Sequence, residues 1–319
     1  MMKKALIFGI TGFVGSHLAE HLIKHGYEVY GTIRKQSSLE NIAHVLRHVH
    51  LYIVNFEEID LITEIIRKTA PDYIFFLISA RNKENTNVMF KTNIQSTINF
   101  FEAFINFSYS HKTIMISSSS VYGVHFKKAI DEGSPLLPST LYGLSKLFQE
   151  EIVKYYMRNY KLNVLIARPF NHIGPRAYPG LVCSDLAIQV AEIEVKNKPP
   201  VVKVKKLDSI RDFTDVRDIV RAYRLLAEEG KSGEIYNICS GQGTSIKNLV
   251  DIFLSMTHQR ISVEVNEPTM QDFFVDYQVG NNNKISSEIG WKPEISLNKS
   301  IHDVLEYYRY KIRINELER

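Results

Sequence analysis

The amino-acid sequence predicts an α/β fold, with a doubly wound parallel sheet and a smaller, interleaved C-terminal α/β domain. Short apolar runs alternate with amphipathic segments of helix length through the first half of the 319 residues. A glycine-rich turn lies between the first apolar run and the first helical segment. After Pro169 the alternation gives way to longer irregular segments interrupted by prolines, so we expect a second structural unit to begin there.

Six short apolar runs between the helix-length segments are predicted as strands. They cover residues 5–8, 28–33, 51–54, 73–78, 113–116 and 164–167. The first five are nearly continuous apolar runs, which is typical of parallel strands buried on both faces. Helices are predicted over residues 15–25, 60–68, 92–107, 142–159, 242–256 and 300–312. We expect one domain over residues 1–168 with a later return near 212–240, and a second mainly over 169–319.

Composition and charge favour an ordinary globular protein over a membrane or nucleic-acid-binding protein. Of the residues, 45% are hydrophobic and 23% are charged, and the net charge of +4 is mild. We find no aromatic-and-arginine stacking pattern, and no apolar run approaches the roughly 20 residues needed to cross a bilayer. Cys183 and Cys239 lie far apart, which suits a reducing compartment. We expect a soluble, cytoplasmic protein with no nucleic-acid or membrane partner.

The glycine-rich turn predicts a dinucleotide site. Its sequence is Gly9-Ile10-Thr11-Gly12-Phe13-Val14-Gly15, directly after a strand and directly before a helix. Glycines permit a tight turn and close backbone approach, and the helix N-terminus offers N–H groups to a pyrophosphate.

The end of the second predicted strand bears on the choice between NAD and NADP. An acidic residue there would hold a ribose 2′-hydroxyl and reject a 2′-phosphate, but the chain has Arg34 and Lys35 instead. Both side chains could pair with a phosphate, or both could be ordinary surface charges. NADP is therefore permitted, and NAD remains open.

Tyr142 and Lys146 are candidates for acid/base work. Their four-residue spacing places both side chains on one helix face, where an ammonium favours the phenolate form of a tyrosine. The spacing alone arises often by chance, so a third group matters. Ser118 supplies one, because it follows the strand predicted over 113–116 and so lies at the ligand-binding edge of a parallel sheet.

A histidine pattern in the first helix imitates a zinc site. His17, Glu20 and His21 match the H-x-x-E-H spacing of one metalloprotease class, and His25 extends the row. Because this helix also carries the predicted phosphate turn, we expect solvated histidines and no metal.

With these residues in place, the chain resembles the extended short-chain dehydrogenase/reductases that act on nucleotide sugars. The resemblance covers nearly the whole chain and implies a Rossmann-like fold. The later segments look like the GDP-6-deoxy-4-keto-mannose reductase group. The motifs that carry the resemblance are Gly9-x-x-Gly12-x-x-Gly15, Ser118 before Val121-Tyr122-Gly123, Tyr142-x-x-x-Lys146, Arg168-Pro169-Phe170-Asn171-His172, Arg211-Asp212-Phe213-Thr214-Asp215, Tyr236-Asn237-Ile238-Cys239-Ser240-Gly241 and Gly290-Trp291-Lys292-Pro293.

The resemblance also implies roles for individual residues. The catalytic group is expected to be Ser118, Tyr142 and Lys146. Cofactor contacts are expected from Gly9, Thr11, Gly12, Phe13, Val14, Gly15, Arg34, Asn55, Phe56, Ile78, Ser79, Asn93, Tyr142, Lys146 and His172. Substrate contacts are expected from Ser119, Ser120, Asn171, Val182, Lys206 and Arg211.

The implied activity is NAD(P)-dependent hydride transfer at C4 of a GDP-linked hexose or heptose, for cell-surface polysaccharide sugars. The reductive direction turns a 4-keto sugar into an alcohol. The alternatives are a GDP-sugar 4-dehydrogenase, or a C4 epimerase that retains its cofactor. A 4,6-dehydratase is disfavoured, because Ser120 stands where dehydratases have a carboxylate. A non-catalytic cofactor sensor would have no reason to keep Ser118, Tyr142 and Lys146 together.

Three departures from the family pattern leave the sugar open. The segment over residues 80–93 is shorter than usual, Lys206 replaces an expected asparagine, and an arginine expected near Gln271 is missing. Relatives of this type pair through the helices predicted over 92–107 and 142–159, so we expect a homodimer or a higher homo-oligomer. An aromatic stripe on the first of these helices is predicted to be core or interface; it comprises Phe100, Phe101, Phe104 and Phe107.

Overall fold

A computed structural model describes residues 2–81, 85–105, 107, 111–123, 128–266 and 276–317. The strands are β1 (Lys4–Phe8), β2 (Glu28–Ile33), β3 (Val49–Ile53), β4 (Tyr73–Phe76), β5 (Lys112–Ile116), β6 (Val164–Pro169), β7 (Asn171–Ile173), β8 (Val201–Val204), β9 (Ile210–Asp215), β10 (Ile235–Ile238), β11 (Gly243–Ser245), β12 (Ser262–Val265) and β13 (Tyr277–Gln278). The α-helices are α1 (Phe13–Lys24), α2 (Ile59–Thr69), α3 (Thr86–Phe90), α4 (Ser96–Phe104), α5 (Leu141–Tyr160), α6 (Val182–Lys196), α7 (Val216–Glu229), α8 (Ile246–Ser255), α9 (Asn283–Ile289) and α10 (Leu297–Leu317).

Seven strands form one sheet in the order β10-β6-β5-β4-β1-β2-β3, and every neighbouring pair is parallel. The predicted doubly wound α/β fold is therefore confirmed. The chain runs outward from β1 through β2 and β3, and then crosses back to β4 on the other side of β1. Such a reversal opens a crevice at the carboxyl ends of the strands, where ligands bind in this class of sheet.

One predicted strand differs in burial. The run over residues 51–54 was expected to be buried on both faces, and this expectation is wrong. Its strand, β3, is the edge strand of the sheet, and Ile53 is 58% exposed. The apolar content of a strand does not reveal its position in the sheet, because edge and central strands share the same β-branched and aromatic preferences.

The helix predicted over residues 92–107 is interrupted in the structure. A single π-helical turn, Lys91–Gln95, joins α3 to α4. Such turns occur often at functional sites. This one carries the predicted cofactor residue Asn93, which is fully buried.

Helices cover both faces of the sheet with separate apolar layers. One layer packs α1 and α7 through residues such as Leu18, Leu22 and Leu226. The other packs α2, α4 and α5, and it includes Phe100 and Phe101, both fully buried. Those two members of the aromatic stripe are therefore core residues. The side chain of Phe104 lies outside the described part, and Phe107 is half-buried.

Beyond β6 the chain builds smaller sheets. Strand β9 pairs with β7, β11 and β13, and β8 pairs with β12. Helices α6, α8 and α10 share one apolar cluster beside them. Strand β10, far along the chain, joins the large sheet next to β6. A division into two domains at residue 168 stays a prediction. Within the described ranges, no helix has both the length and the apolar character that a bilayer crossing requires.

Candidate active site

The glycine turn brings β1 and α1 into close contact. Gly9 has a φ of +94°, a backbone conformation that residues with a side chain rarely adopt. A Cβ atom at Gly15 would lie 2.2 Å from the carbonyl oxygen of Gly9, so only glycine allows this approach. Gly12 precedes the first turn of α1 and offers no side-chain cap to its N–H groups. These features fit a pyrophosphate at the helix N-terminus.

Other predicted cofactor residues surround this turn. The ring of Phe13 stacks on that of His172, with 5.6 Å between ring centroids and 24° between planes. Ile78 packs against Gly9, since its Cδ1 would lie 3.4 Å from a Cβ placed there. The amide of Asn41 donates to the carbonyl of Thr11 at 3.0 Å, which ties the turn to the segment after β2. Val14 is half-buried beside them.

Gly143 lets α5 approach the serine turn after β5. The Thr140 hydroxyl accepts a hydrogen bond from the Gly143 N–H at 3.0 Å and so caps the helix. A Cβ atom at Gly143 would lie 2.4 Å from the carbonyl oxygen of Ser120. Because glycine has no Cβ, the first turn of α5 can lie against Ser118 and Ser120. The preceding residue, Tyr142, is thereby placed beside Ser118.

The hydroxyl of Tyr142 lies in hydrogen-bonding contact with the side chains of Ser118 and Ser79. Burial raises the pKa of Tyr142, and three contacts oppose the rise: the positive charge of Arg81 and hydrogen bonds from Ser79 and Ser118. Arg81 lies directly over the tyrosine ring, with its guanidinium carbon 4.7 Å from the centroid. A phenol held this way can give or take a proton at the edge of the sheet.

Lys146 is 1% exposed on the inner side of α5. Its Nζ donates to the carbonyl of Ile116 and to Oε1 of Gln149, both at 2.8 Å. Burial lowers the pKa of Lys146 to about 7, while the charge of Glu150 acts in the opposite direction. The predicted action of Lys146 on Tyr142 stays a prediction, because the cation over the ring in this structure is Arg81.

A buried polar network lies beneath Ser118, Tyr142 and Lys146. Arg168 binds Glu150 through two hydrogen bonds of 2.9 and 2.6 Å, and each side chain is 1% exposed. The Ser117 hydroxyl donates to the same carboxylate, and the second guanidinium arm donates to the Tyr122 hydroxyl at 2.9 Å. Tyr122 in turn donates to Asn237 on β10 at 2.7 Å. The network links β5, α5, β6 and β10 beneath the site.

Asn93 connects the loop after β4 to the catalytic helix. Its amide donates to the Ala80 carbonyl at 3.1 Å and to the Ser145 hydroxyl at 2.9 Å, and its oxygen accepts from the Ala80 N–H at 2.7 Å. Ser145 lies between Tyr142 and Lys146 on α5. Asn93 therefore fixes the backbone next to Ser79 and Arg81.

The adenine side of the predicted cofactor site is open to solvent. Arg34 and Lys35 are exposed at the end of β2, and Asn55 is exposed after β3. Phe56 packs its ring against Phe8 and Phe76, with centroids 5.5 and 5.8 Å away. This arrangement leaves both NAD and NADP open.

The predicted substrate residues lie on several elements beyond β5. Asn171 on β7 donates to the carbonyl of Asp212 on β9 at 3.2 Å. Arg211 on β9 is half-buried, and burial lowers its pKa to about 10 while Asp276 acts in the opposite direction. Lys206 forms an ion pair with Asp276. The other members of this group are Ser119 and Ser120 in the turn after β5 and Val182 at the start of α6.

The position near Gln271, where an arginine was expected, lies outside the described residues. The histidines of the zinc-like pattern are described. The expectation that they are solvated is wrong for His17, which is 5% exposed and contacts the Pro175 carbonyl at 2.9 Å through Nε2. Burial lowers its pKa to about 4. Over the described ranges, no group of three or more metal-ligating side chains is placed to hold an ion.

Three residues of the site were not singled out from the sequence. Arg81 covers Tyr142, Tyr178 is hydrogen-bonded to Arg81, and Gln149 holds Lys146. The position of Arg81, five residues after a strand that ends at the ligand-binding edge, was a usable signal. Gln149 lies three residues after Lys146 on the same helix, which was a second signal. For Tyr178 the sequence held no comparable signal.

A doubly wound parallel sheet, a glycine turn at its first crossover and a serine–tyrosine–lysine group at the same edge define an extended short-chain dehydrogenase/reductase. Comparison with known proteins agrees: the chain belongs to the GDP-mannose 4,6 dehydratase family, whose model matches residues 6–304. The predicted resemblance to nucleotide-sugar oxidoreductases of this type is confirmed.

Individual relatives span a range of activities. The chain is 27% identical to GDP-6-deoxy-D-mannose reductase of Pseudomonas aeruginosa, over 98% of this chain and 99% of that protein. It is 29% identical to a putative UDP-glucose 4-epimerase of Methanocaldococcus jannaschii, over 95% and 98%. Among solved structures, RMD of Pseudomonas aeruginosa complexed with NADPH superposes with a TM-score of 0.82 at 24% identity, over 97% of this chain and all of that one.

Proposed function

We propose that the protein transfers a hydride between NAD or NADP and C4 of a GDP-linked hexose or heptose. The observation that carries the proposal is the contact of Ser118 with Tyr142, one helical turn from the buried Lys146, at the sheet edge that also holds the glycine turn. The same residues serve both directions, and the name of the Pseudomonas relative favours the reductive one, from a 4-keto to a 4-hydroxy sugar. Its product enters the synthesis of cell-surface polysaccharide in the cytoplasm, where the two buried cysteines stay reduced.

When bound, NADH or NADPH would supply the hydride for C4. Tyr142 gives its phenolic proton to the C4 oxygen as the carbonyl becomes an alcohol, and the reverse reaction returns that proton. Ser118 donates a hydrogen bond to the same oxygen as negative charge develops on it. Lys146, fixed by Ile116 and Gln149, would hold the ribose of the bound cofactor through its amine. His172 and Phe13, whose rings stack on each other, would contact the cofactor on the side of the glycine turn.

Two kinds of support favour a GDP-sugar. The family model and the Pseudomonas relative both carry GDP-sugars in their names. Arg211 offers a planar guanidinium, whose fork geometry suits a diphosphate. Asn171 lies on the neighbouring strand β7, next to β9. Ser119, Ser120, Val182 and Lys206 complete the proposed substrate side.

A C4 epimerase or 4-dehydrogenase is the second candidate. One relative whose similarity extends over nearly the full length of this chain is a putative UDP-glucose 4-epimerase. In addition, the same acid/base group can serve both directions of hydride transfer. A 4,6-dehydratase is disfavoured, although the family carries that name. Elimination of water needs an acid/base group where this chain has Ser120, and a serine hydroxyl is far too weak an acid or base for that step.

The test is turnover of GDP-6-deoxy-4-keto-mannose by purified protein, followed by the absorbance of NADPH or NADH. We expect the reduced cofactor to be consumed and Tyr142→Phe to lower kcat by about 100- to 10,000-fold. Tyr310→Phe is the matched control, since that ring is 66% exposed on α10. Appearance of reduced cofactor from an alcohol substrate, with no activity on the keto sugar, would establish the dehydrogenase instead. Unchanged turnover by Tyr142→Phe would end the enzymatic account.

We further propose that two copies pair through α5. Leu141, Phe148 and Tyr155 recur every seven residues on this helix, and each is about half exposed. Ile94, in the turn before α4, and Ile98, in α4, line one groove together with Phe148 and Tyr155. An apolar stripe of this length on a single helix suits a self-complementary, two-fold interface. Light scattering should give the mass of a dimer, and Phe148→Asp should give that of a monomer.

A further inference from the structure

Arg81 lies at the candidate site but has no role in the proposed reaction as described above. It lies in the loop after β4, and its guanidinium carbon is 4.7 Å from the centroid of the Tyr142 ring. A hydrogen bond with Tyr178, from the segment after β7, holds it from the other side. Asn93 makes two hydrogen bonds to the backbone of Ala80, the residue that precedes Arg81. The arginine is therefore built into the site from three separate parts of the chain.

The usual source of positive charge in such a site is the lysine one turn along the helix. Here the Nζ of Lys146 is engaged by the Ile116 carbonyl and by Gln149, both at 2.8 Å. The cation in contact with the phenol ring is Arg81. An arginine over an aromatic face interacts with the ring and, more strongly, with the negative charge that forms when the phenol ionises.

We infer that Arg81 is a positioning residue for the proposed reaction: its guanidinium holds the Tyr142 ring against Ser118 and Ser79 and favours the phenolate. This inference rests on the proposed role of Tyr142 as the acid/base group. It also gives a function to the shortened segment over residues 80–93, which supplies a cation at the acid/base group.

The charged and titratable groups around Tyr142 decide the size of the effect. Arg81 faces the ring, Tyr178 lies beside Arg81, Lys146 is one turn away, and Tyr223 approaches from α7. Burial raises the pKa of Tyr142, and Arg81 is the group that lowers it most. An opposite charge at this range shifts a pKa by about 1–3 units. Part of the arginine side chain is exposed although its guanidinium lies over the Tyr142 ring, and water around the exposed part weakens its field, so we expect the lower end of that range.

The direct test measures the titration of Tyr142 without any substrate. Tyrosine labelled with 13C at Cζ gives one NMR signal for each of the 17 tyrosines, and Tyr142→Phe identifies the signal of interest by its loss. We expect Arg81→Gln to raise the pKa of Tyr142 by about one unit, and Arg81→Lys to raise it less. Arg67→Gln is the matched control. Arg67, on α2, also lies over an aromatic ring: its guanidinium carbon is 5.7 Å from the centroid of Phe107. Equal titration of Tyr142 in the parent and in Arg81→Gln overturns the inference.

The pH dependence of turnover provides the second measurement. In sugar oxidation Tyr142 acts ionised, so activity rises with pH through its pKa. In keto-sugar reduction it acts protonated, so activity falls through the same pKa. Arg81→Gln should move both limbs to higher pH by about one unit, whereas a purely structural loss lowers activity at every pH without moving either limb. If GDP-sugars are not turned over at all, the proposed function fails, yet the NMR titration still decides the role of Arg81.

Discussion

Two ion pairs in this protein have opposite environments. Arg168 and Glu150 lie beneath the catalytic edge, each side chain 1% exposed, with every arm of the guanidinium hydrogen-bonded. Lys206, which is predicted to contact the substrate, pairs with Asp276, and their side chains are 35% and 77% exposed. The first pair belongs to a network that joins four elements, whereas the second joins two side chains in water.

The difference predicts which of the two pairs tolerates replacement. A buried charge without its partner carries a large desolvation cost, so the support beneath Ser118, Tyr142 and Lys146 cannot change one residue at a time. A solvated pair contributes little to stability and can be replaced at little cost.

Breaking the buried pair should have the largest effect on stability. Glu150→Ala leaves Arg168 charged and buried, and it removes the acceptor of the Ser117 hydroxyl. We expect the free energy of unfolding to fall by about 3–5 kcal/mol in urea denaturation. The matched control is Glu306→Ala, because Glu306 is half exposed and pairs with Arg309 at 2.6 Å. That control should cost less than about 1 kcal/mol; equal losses for both variants would contradict the contrast.

Protonation of a buried histidine should have an intermediate effect. Burial lowers the pKa of His17 from 6.5 to about 4, so the unfolded chain binds more protons than the folded one between these values. The stability contribution of a neutral His17 is complete above pH 6.5 and is lost as the pH falls toward 4. The free energy of unfolding of the parent protein should decline between pH 7 and pH 5. We expect this decline to be about 2 kcal/mol smaller in His17→Gln, measured by denaturation at each pH.

The control for this pH effect is His302→Gln, because that imidazole is 55% exposed on α10. The free energy of unfolding of this control variant should decline between pH 7 and pH 5 by the same amount as that of the parent protein. If His17→Gln keeps the full decline, other groups cause it. His21, whose pKa burial lowers to about 3, is then the next residue to change.

The exposed pair should show the smallest effect on stability and a separate effect on substrate binding. Lys206→Gln should cost less than about 1 kcal/mol in unfolding free energy. If Lys206 contacts the diphosphate, this variant raises KM for a GDP-sugar, whereas Asp276→Asn lowers KM because the ammonium loses its competing partner. Steady-state kinetics of both variants measure this. A KM that neither variant changes would remove Lys206 from the substrate side.

The sequence was most informative where function depends on local spacing. Gly9, Gly12 and Gly15 follow a strand at fixed offsets, and Tyr142 and Lys146 lie one helical turn apart; both patterns are readable without tertiary contacts. It was least informative where burial depends on distant segments. His17 is buried because the Pro175 carbonyl, 158 residues away, covers it. Its position in α1 does not by itself reveal that burial.

The sequence by itself determined the alternation of strands and helices, the glycine turn and the identity of the acid/base candidates, because these follow from backbone sterics and from periodicity along one chain. Only the tertiary structure decided that β3 is an edge strand, that β10 returns to pair with β6, and that Arg81 lies over Tyr142. Strand order and side-chain encounters depend on how loops close across the sheet. Those closures are chosen by the packing of the whole core rather than by any single segment.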